Sequence, residues 1–385
     1  MKILVALTYY RPHYSGLTIY AERVSRALAE RGHTVTILTS RYDNKLPSLE
    51  IRDGVKVIRP DVAFHISKGV IMPLMPVWAW RLIRWADVVQ LHVPQLDAAP
   101  IALLSQLFSK PVILTYHCDL QLPEGNVHKV ANTASNIANH ITARSADVIV
   151  HNTRDYAEQS PFLQRYLDKL QPIFPPVEVC EITQTDIDSF RDKYHIKPED
   201  IIIGMAARLA TEKGVQYLAK ALPIILKSHP QARVLFVGPY KNVVGEEGYA
   251  QRLQPIVDQL GEHWSFLGII SPIEMSVFFH LSEVTVLPSI NSTESFGIVQ
   301  VESIYCGTPV VSTDLPGVRV PVQISNMGRV VPPKNPKMLA EAVIDLLDRV
   351  GNGQQKPEAI TTLSSPDYVA EEYEKLYVRL LDRKD

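Results

Sequence analysis

The segment PSINSTESFGIVQVE occupies residues 288–302 and directly follows the short apolar run 284–287. A β-branched run of this length, closed by a proline, predicts a buried strand. The polar residues around Glu294 then predict a loop, and Ile298 opens a helical pattern that carries Glu302. Strand, loop and helix in this order are typical of parallel β-α-β units. The segment therefore predicts an α/β fold with two glutamates near the end of a strand.

The same alternation of apolar strands and helical segments runs along the whole chain. Because parallel strands need crossover helices, the pattern predicts parallel sheets covered on both faces. About twelve strands are too many for one ordinary sheet, so we expect two sets of about six. The predicted strands are 2–7, 34–39, 55–59, 87–92, 111–116, 147–151, 201–206, 233–237, 265–267, 284–287, 309–312 and 328–331. The predicted helices include 19–31, 215–228, 298–306 and 336–350.

The alternation is interrupted at residues 170–185, where Pro172, Pro175 and Pro176 fall close together. We predict a linker there, between Rossmann-like domains of residues 1–178 and 183–366. Two such domains are expected to face each other across a cleft at the carboxyl ends of both sheets, where open α/β folds bind ligands. After residues 351–366, the segment 367–384 places apolar side chains on one helical face and must dock elsewhere in the fold.

The composition is that of an ordinary globular protein, with 46% hydrophobic and 21% charged residues among 385. It excludes disordered, collagen-like and coiled-coil chains. The three cysteines form no C-x-x-C pair, which argues against a disulfide framework and favours a cytoplasmic location. A net charge of −2 argues against a nucleic-acid partner. The run that begins at Ile3 indicates a strand rather than a signal peptide, and no apolar segment reaches the length of a membrane span.

Two cations, Arg208 and Lys213, follow the predicted strand 201–206 in the segment AARLATEKG. Side chains that leave the carboxyl end of a parallel strand point into the expected cleft, where they could neutralise a diphosphate. The alternative is that both are solvated surface cations.

The glutamates of the segment 288–302 predict the recognition of hydroxyl groups. A carboxylate at the end of a strand can accept paired hydrogen bonds from a ribose or a hexose. The alternative is that Glu302 bridges locally and Glu294 is solvated. The backbone amides at the predicted helix start are available to an anion, and they belong to Phe296, Gly297, Ile298 and Val299.

The first loop, residues 9–19, joins the strand 2–7 to a helix and has Gly16 at the helix entrance. Backbone N–H groups at such a glycine can approach a phosphate closely, and the helix dipole favours negative charge. The alternative is a plain strand-to-helix turn. The pattern G-x-G-x-x-G is absent, which removes the main support for a nicotinamide cofactor.

Taken together, these motifs resemble those of the family 4 retaining glycosyltransferases, which have the GT-B fold of two Rossmann-like domains. The second half carries E-x7-E at Glu294 and Glu302, R-x4-K-G from Arg208, VLPS at 286–289 and GTPVV at 307–311. The first half carries SGL at 15–17, GHTV at 32–35, ADVVQLH at 86–92 and TYHCD at 115–119. The resemblance covers essentially the whole chain.

The resemblance implies a hexosyl transfer from a nucleotide-diphosphate sugar to an acceptor hydroxyl, with no metal or other cofactor. The acceptor class is a glycan, a lipid-linked molecule or a small molecule. Glu302 is then expected to hold the nucleotide ribose and Glu294 to contact the hydroxyls of the donor sugar. Arg208 and Lys213 are expected to bind the diphosphate.

In the first half, the resemblance implies that Gly16 adds a backbone amide to the phosphate contacts. Its neighbour Ser15 stands where many members have a second glycine. His117 matches the family's sugar-facing histidine, with a structural histidine as the alternative, and Asp119 is a weaker candidate beside it. The helix within 367–385 is expected to pack back on the first domain.

No carboxylate of the matched first-half motifs is clearly placed to attack the anomeric carbon. The resemblance therefore favours a same-face displacement, in which the leaving phosphate assists the acceptor hydroxyl. Two other functions stay open. One is a nucleotide-sugar epimerase of the same fold, which needs no acceptor. The other is a non-catalytic protein that binds a nucleotide or a sugar.

An aromatic and basic cluster lies beside the apolar stretch 69–80. Such a combination is found at membrane interfaces, so a peripheral contact at the inner face of the cytoplasmic membrane stays open. The buried strand predicted at 87–92 follows at once, which favours a helix packed within the first domain. The cluster consists of Trp78, Trp80, Arg81, Arg84 and Trp85.

The triplet Asp186-Ile187-Asp188 spells the D-x-D that binds metal in the other glycosyltransferase architecture. It lies in TDIDSFRDKY, however, which predicts a helix start just after the linker. We therefore expect no metal site at these residues.

Overall fold

The computed structural model describes residues 1–66, 69–95, 97–119, 126–243, 245–349 and 357–383. It contains two compact units, one formed by Met1–Pro176 with Leu363–Asp385 and one by Val177–Thr362. Three predicted features lie partly outside the described residues. They are the helix 336–350 at Val350, the stretch 351–366 at residues 351–356, and the segment 367–384 at Lys384.

The first unit is built on a mostly parallel sheet. Its strands are β1 Lys2–Ala6, β2 Thr34–Leu38, β3 Leu49–Arg52, β4 Val55–Ile58, β5 Phe64–Ile66, β6 Gly69–Ile71, β7 Val88–Val93, β8 Val112–Tyr116, β9 Val148–His151 and β10 Leu170–Pro172. In the described ranges, eight of them form one sheet in the order β10-β9-β8-β7-β1-β2-β4-β3. Neighbours in this sheet are parallel except β3 and β4, and β5 pairs with β6 in a separate antiparallel ribbon.

The sequence does not predict β3 and β10, so the expectation of about six strands is wrong for this sheet. Both lie at its edges. Leu49 and Ile51 of β3 are 55% and 79% exposed, so this strand lacks the buried apolar pattern of an interior strand. Pro172 is tolerated in β10 because an edge strand can lack an N–H. The predicted linker 170–185 therefore starts too early.

The side chains of β1 alternate between two cores, one on each face of the first sheet. Leu4 and Ala6 belong to one core, and Ile3 and Val5 belong to the other. Each buried aliphatic side chain contributes about 1.5–3 kcal/mol, which explains why this strand is apolar from Ile3 onward. The helices that precede the linker are α1 Gly16–Glu30, α2 Met75–Trp85, α3 Ala98–Leu107, α4 Asn126–Ser145 and α5 Arg154–Gln159.

The second unit is built on a parallel sheet whose six described strands match the predicted ones. They are β11 Ile201–Ala206, β12 Ala232–Val237, β13 Trp264–Gly268, β14 Val284–Leu287, β15 Val310–Thr313 and β16 Gly328–Val331. Their order is β13-β12-β11-β14-β15-β16. The helices in this part are α6 Gln184–Tyr194, α7 Val215–Ile225, α8 Glu247–Asp258, α9 Pro272–Leu281, α10 Ile298–Tyr305, α11 Val320–Ser325, α12 Pro336–Leu347 and α13 Glu358–Leu363.

The strand order of the second sheet reverses direction between β11 and β14. The chain goes from β11 outward to β13 on one side and then returns to place β14 on the other side of β11. Such a switch point leaves a crevice at the carboxyl ends of the two central strands, where open α/β sheets bind ligands. A ligand-binding site is therefore expected at the loops after β11 and β14.

The last helix, α14 Pro366–Asp382, belongs to the first unit. Its apolar face, with Val369, Leu376 and Leu380, is buried in the core that contains Ile3 and Val5. At its amino end, Arg31 donates to Asp367 at 2.6 Å and to Glu374 at 2.6 Å. An apolar face and a charged edge together fix this helix on the first sheet.

Acid should weaken this docking through Glu374. Hydrogen bonds from Arg31, and then from His33, hold the pKa of Glu374 below its ordinary value of 4.5. A carboxylate with a lowered pKa stabilises the fold above its unfolded pKa, and that stability is lost as pH falls through the folded pKa. We expect Glu374→Gln to lose less unfolding free energy than the wild type between about pH 5 and about pH 3 in urea titrations.

Glu371→Gln is the control for this prediction, because Glu371 lies on the same helix in an exposed pair with Lys375. It should retain the acid dependence of the wild type. An unchanged acid dependence in Glu374→Gln would contradict the assignment.

Candidate active site

The loop after β11 carries the two predicted cations, and each is paired with a carboxylate. Arg208 donates to Glu212, four residues further along. The ammonium nitrogen of Lys213 donates to Oε2 of Glu294 at 2.5 Å. The side chains of Lys213 and Glu294 are only 21% and 14% exposed, so Glu294 is ion-paired rather than solvated.

The loops after β11 and β14 touch along their backbones, which explains how Lys213 reaches Glu294. The amide of Ile290 donates to the carbonyl of Glu212 at 3.0 Å. Gly214 is left-handed, with φ of +67°, and a Cβ there would lie 2.0 Å from the carbonyl oxygen of Pro288. Only glycine permits this approach.

Gly214→Ala should therefore destabilise the protein more than Gly307→Ala. Both glycines are left-handed, but a Cβ at Gly307 would meet nothing within 4 Å. Backbone strain is common to both variants, and only Gly214→Ala adds a clash with backbone, which we expect to cost about 1–3 kcal/mol more. Urea unfolding of the two variants measures the difference. Equal losses would show that the approach of the two loops is not tight.

The helix α10 starts beside this contact and has no side-chain cap. Its N-cap, Gly297, has φ of 79° and ψ of 73°. The buried amide of Gln300 supports the turn by donating to the carbonyls of Phe296 at 2.7 Å and Val318 at 3.0 Å. The amides of Ile298 and Val299 therefore belong to a helix start that no side chain caps, an arrangement that suits an anion.

Glu302 lies inside α10, on its second turn, and is 9% exposed. The helix thus joins an amide-rich start to a carboxylate that is largely withdrawn from water. The second unit therefore brings together the loop from Arg208 to Lys213, the carboxylate of Glu294 and the helix that carries Glu302.

Three supporting residues in this unit are not predicted from the sequence. Glu212 pairs with Arg208, Glu246 accepts hydrogen bonds from the backbone and hydroxyl of Thr211, and Gln300 supports the start of α10. The spacing of four residues between Arg208 and Glu212 is a signal that could have found one of them. Glu246 and Gln300 carry no comparable signal, because their partners depend on the packing of distant segments.

Gly16 in the first unit is the first residue of α1. The side chain of Ser15 caps this helix by accepting a hydrogen bond from the amide of Thr18 at 3.2 Å. A Cβ at Gly16 would meet nothing within 4 Å, so packing alone does not require glycine there. The hydroxyl of Ser15 already binds one amide of this helix start, where the resemblance places a phosphate.

His117 follows β8 directly, and its ring is hydrogen-bonded to a second histidine. Nδ1 of His92 and Nε2 of His117 are 2.9 Å apart. Burial lowers the pKa of His92 to about 3 and lowers the pKa of His117 well below its ordinary value. Both rings are therefore neutral at pH 7.

Asp119, the weaker candidate, is engaged in a structural contact. Its Oδ1 accepts hydrogen bonds from the hydroxyls of Tyr116 at 2.7 Å and Ser160 at 2.8 Å. These bonds tie the residues after β8 to the neighbouring segment of the first unit.

The triplet 186–188 forms the start of a helix, as predicted. The amide of Thr183 donates to Asp186 at 2.8 Å in a capping box, and Asp188 accepts from Gln184 at 2.8 Å. Among the described residues, no group of three metal-binding side chains is present.

The aromatic and basic cluster lies on α2 and is divided between core and surface. Trp78 and Trp85 pack against the core of the first unit, whereas Trp80 is 44% exposed. The guanidinium of Arg84 lies 4.8 Å from the centre of the Trp80 ring. Within the described ranges, no helix is both long enough and apolar enough to span a bilayer.

Comparison with protein families gives two matches that together cover most of the chain. Residues 186–359 match the family described as Glycosyl transferases group 1. Residues 15–169 match the family described as Glycosyl transferase 4-like domain.

Several relatives match along most of their length. The D-inositol 3-phosphate glycosyltransferase of Acidothermus cellulolyticus is 27% identical over 86% of this chain and 78% of that protein. The glycogen synthase of Mycobacterium tuberculosis H37Rv is 25% identical over 96% of this chain and 91% of that protein.

Solved structures share the fold. Sucrose-phosphate synthase from Thermosynechococcus elongatus has a TM-score of 0.74 at 18% identity, with 99% of both chains covered. The Anabaena protein HepE in complex with UDP and glucose has a TM-score of 0.73 at 18% identity, with 98% of this chain and 99% of that chain covered.

Proposed function

Because the chain belongs to the family 4 glycosyltransferases with the GT-B fold, we propose that it moves a hexose from a nucleotide-diphosphate donor to an acceptor hydroxyl with retention of configuration. The observation that carries this proposal is the pairing of Lys213 with Glu294 beside the uncapped start of α10. The cation can bind a diphosphate, the carboxylate can accept hydrogen bonds from sugar hydroxyls, and the uncapped amides suit an anion.

The donor class is supported by charge and by the relatives. Arg208 and Lys213 supply two cations for a diphosphate, whereas Glu294 and Glu302 supply acceptors for hydroxyl groups. Structures of HepE hold UDP and UDP-glucose, which makes a nucleotide sugar the natural first candidate for this chain. The acceptor is a hydroxyl whose molecule stays unassigned.

In the proposed reaction, the bond between the anomeric carbon and the diphosphate oxygen breaks, and a bond to the acceptor oxygen forms on the same face. The acceptor's proton passes to the departing phosphate oxygen. Arg208 and Lys213 stabilise the charge that develops on this leaving group. Glu294 orients the sugar through its hydroxyls, and Glu302 holds the ribose.

A thermal-shift panel with UDP, GDP, ADP, CDP and dTDP tests the proposal first. A ligand at about a hundred times its dissociation constant adds about 2.7 kcal/mol, which raises Tm by several degrees. A shift with one diphosphate supports the proposal and names the donor class. No shift with any of them argues against the assigned roles of Arg208 and Lys213.

Product analysis separates the proposed function from its alternatives. Conversion of a nucleotide sugar without any acceptor would identify an epimerase, and diphosphate binding without turnover on any acceptor would favour a binding protein. Transfer with the anomeric configuration retained, observed by NMR of the product, supports the proposed mechanism. Inversion would overturn it.

The proposal places the enzyme in the cytoplasm, with peripheral membrane contact through the exposed side of α2. The three cysteines form no C-x-x-C pair, which suits a reducing compartment. Leu74, Val77 and Trp80 are exposed, and Arg84 lies over the Trp80 ring. Apolar and basic side chains together suit an anionic lipid surface. Co-sedimentation with anionic vesicles that Trp80→Ser abolishes would support this contact.

A further inference from the structure

The strand β3 forms one edge of the first sheet, and within the described ranges no further strand pairs with its outer side. Its two apolar side chains, Leu49 and Ile51, are 55% and 79% exposed. Native edge strands are usually protected from pairing with another chain by a proline, a lysine or a bulge. The opposite edge strand, β10, contains Pro172, whereas β3 contains neither proline nor lysine and its register with β4 is regular. This edge can therefore accept a further strand.

The hydrogen bonds between β3 and β4 show which backbone groups of β3 face outward. In an antiparallel pair, opposite residues alternate between exchanging two hydrogen bonds and exchanging none. The amide of Arg59 donates to the carbonyl of Ser48 at 2.8 Å, so these two residues form a bonded pair. The next pair in the register joins Leu49 to Ile58, whose carbonyl accepts a bond of 3.0 Å on the other side of β4. The N–H and C=O groups of Leu49 and Ile51 therefore point toward the outer side of the sheet.

We propose that β3 pairs with β3 of a second copy of this chain, antiparallel and about a two-fold axis at Ile51. The outward N–H and C=O groups of Ile51 then meet those of Ile51 in the second copy, and the two residues exchange two backbone hydrogen bonds. The same patch serves both copies, as in other two-fold contacts. The first sheet thus continues from one copy into the other.

Charge selects this register among the two-fold pairings that are centred on a residue of β3. With Ile51 on the axis, Glu50 of each copy lies opposite Arg52 of the other. Centring the pair on Glu50 or on Arg52 would place like charges directly opposite each other, which destabilises a sheet. Centring it on Leu49 would place Ile51 opposite Pro47 of the second copy, which has no N–H to donate. Only the pairing at Ile51 combines opposite charges with a complete set of backbone donors.

The side chains of β3 fit this pairing on both faces of the sheet. Oε1 of Glu50 accepts from the buried Arg59 at 2.5 Å. A carboxylate accepts at both oxygens, so Oε2 can accept from Arg52 of the second copy. The side chain of Arg52 is 43% exposed and can reach across. On the other face, the two Ile51 side chains meet at the axis, and Leu49 lies diagonal to Ile51 of the second copy, within reach of contact. The pairing therefore covers exposed apolar side chains of both copies.

Sedimentation of the full chain tests the proposal first. Because so short a contact is small, we expect a dimer that dissociates on dilution, measured at up to about 1 mM, the weak end of the affinity scale. Ile51→Lys removes the apolar contact and places like charges on the axis, which should weaken the dimer by about 10-fold or more. Leu107→Lys is the matched control, because Leu107 is 77% exposed on α3. A monomer at every concentration, or equal weakening in both variants, would overturn the proposal.

Cross-linking then tests the register. Opposite residues of a bonded antiparallel pair have Cα atoms about 5.5 Å apart, which suits a disulfide. Ile51→Cys should therefore give a cross-linked dimer on a non-reducing gel when diamide takes up the electrons and protons that the new bond releases. In Leu49→Cys the two introduced sulfur atoms lie four residues apart along the strands, roughly 14 Å, and should not join. The wild type, treated alike, measures cross-linking through the native cysteines. Equal cross-linking of the two variants, or none in Ile51→Cys, would show that the proposed pairing is wrong.

Discussion

Lys213→Met is expected to weaken the binding of a nucleoside diphosphate by about 10- to 100-fold, because it removes a charged hydrogen bond to the phosphates. Methionine keeps most of the volume of the side chain and removes only its charge. The effect should be confined to the phosphates, so the affinity for the parent nucleoside should stay the same. Titration calorimetry with the diphosphate that shifts the wild type, and with its nucleoside, measures both.

Lys220→Met is the matched control, because Lys220 is an exposed lysine on α7, close in sequence to Lys213. It should bind the diphosphate as the wild type does. If Lys213→Met binds the diphosphate normally, or loses nucleoside affinity to the same extent, Lys213 does not bind the phosphates.

Glu302→Ala and Glu294→Ala are expected to damage different steps. Glu302→Ala removes the acceptor proposed for the ribose hydroxyls and should weaken diphosphate binding by about 10-fold or more. Glu294→Ala should lower kcat by about 100-fold, because the sugar loses its orientation. It should not weaken diphosphate binding, since Lys213 then loses the carboxylate that competes with the phosphates.

Diphosphate affinities and single-turnover rates for both variants test this division. Glu341→Ala, an exposed glutamate on α12, serves as the control and should change neither quantity. Equal losses of diphosphate affinity in Glu302→Ala and Glu294→Ala would contradict the assigned roles.

The second sheet could be predicted from the sequence more completely than the first. Its six described strands are short runs rich in apolar residues. A strand that is buried on both faces has an almost continuous apolar sequence, which makes it easy to predict. The edge strands Leu49–Arg52 and Leu170–Pro172 escape prediction because one is exposed and the other contains a proline. Edge position is a property of the whole sheet, and no local pattern specifies it.

For the candidate site too, the sequence predicts the local motifs but not the contacts between distant segments. The motifs that contain Lys213 and Glu294 stand out in the sequence, but their side chains meet only because β14 returns to the side of β11. Periodicity correctly places Tyr373 on the buried face of the last helix. It gives no hint of the bond between Tyr377 and Gln90, because a helical pattern identifies a face and not the strand residues that the face meets.

The first unit is formed by two stretches that are far apart in the chain, and this affects folding during synthesis. Val369 and Leu380 of α14 complete a core whose other residues, such as Ile3, are synthesised first. Because the second unit lies between them in the chain, the ribosome completes that unit before α14 emerges. Domains generally begin to fold in the order of synthesis. The apolar residues of the first unit that α14 covers therefore stay exposed while the second unit is translated. Nascent chains that stop before Pro366 should thus depend on chaperones more than the full chain does.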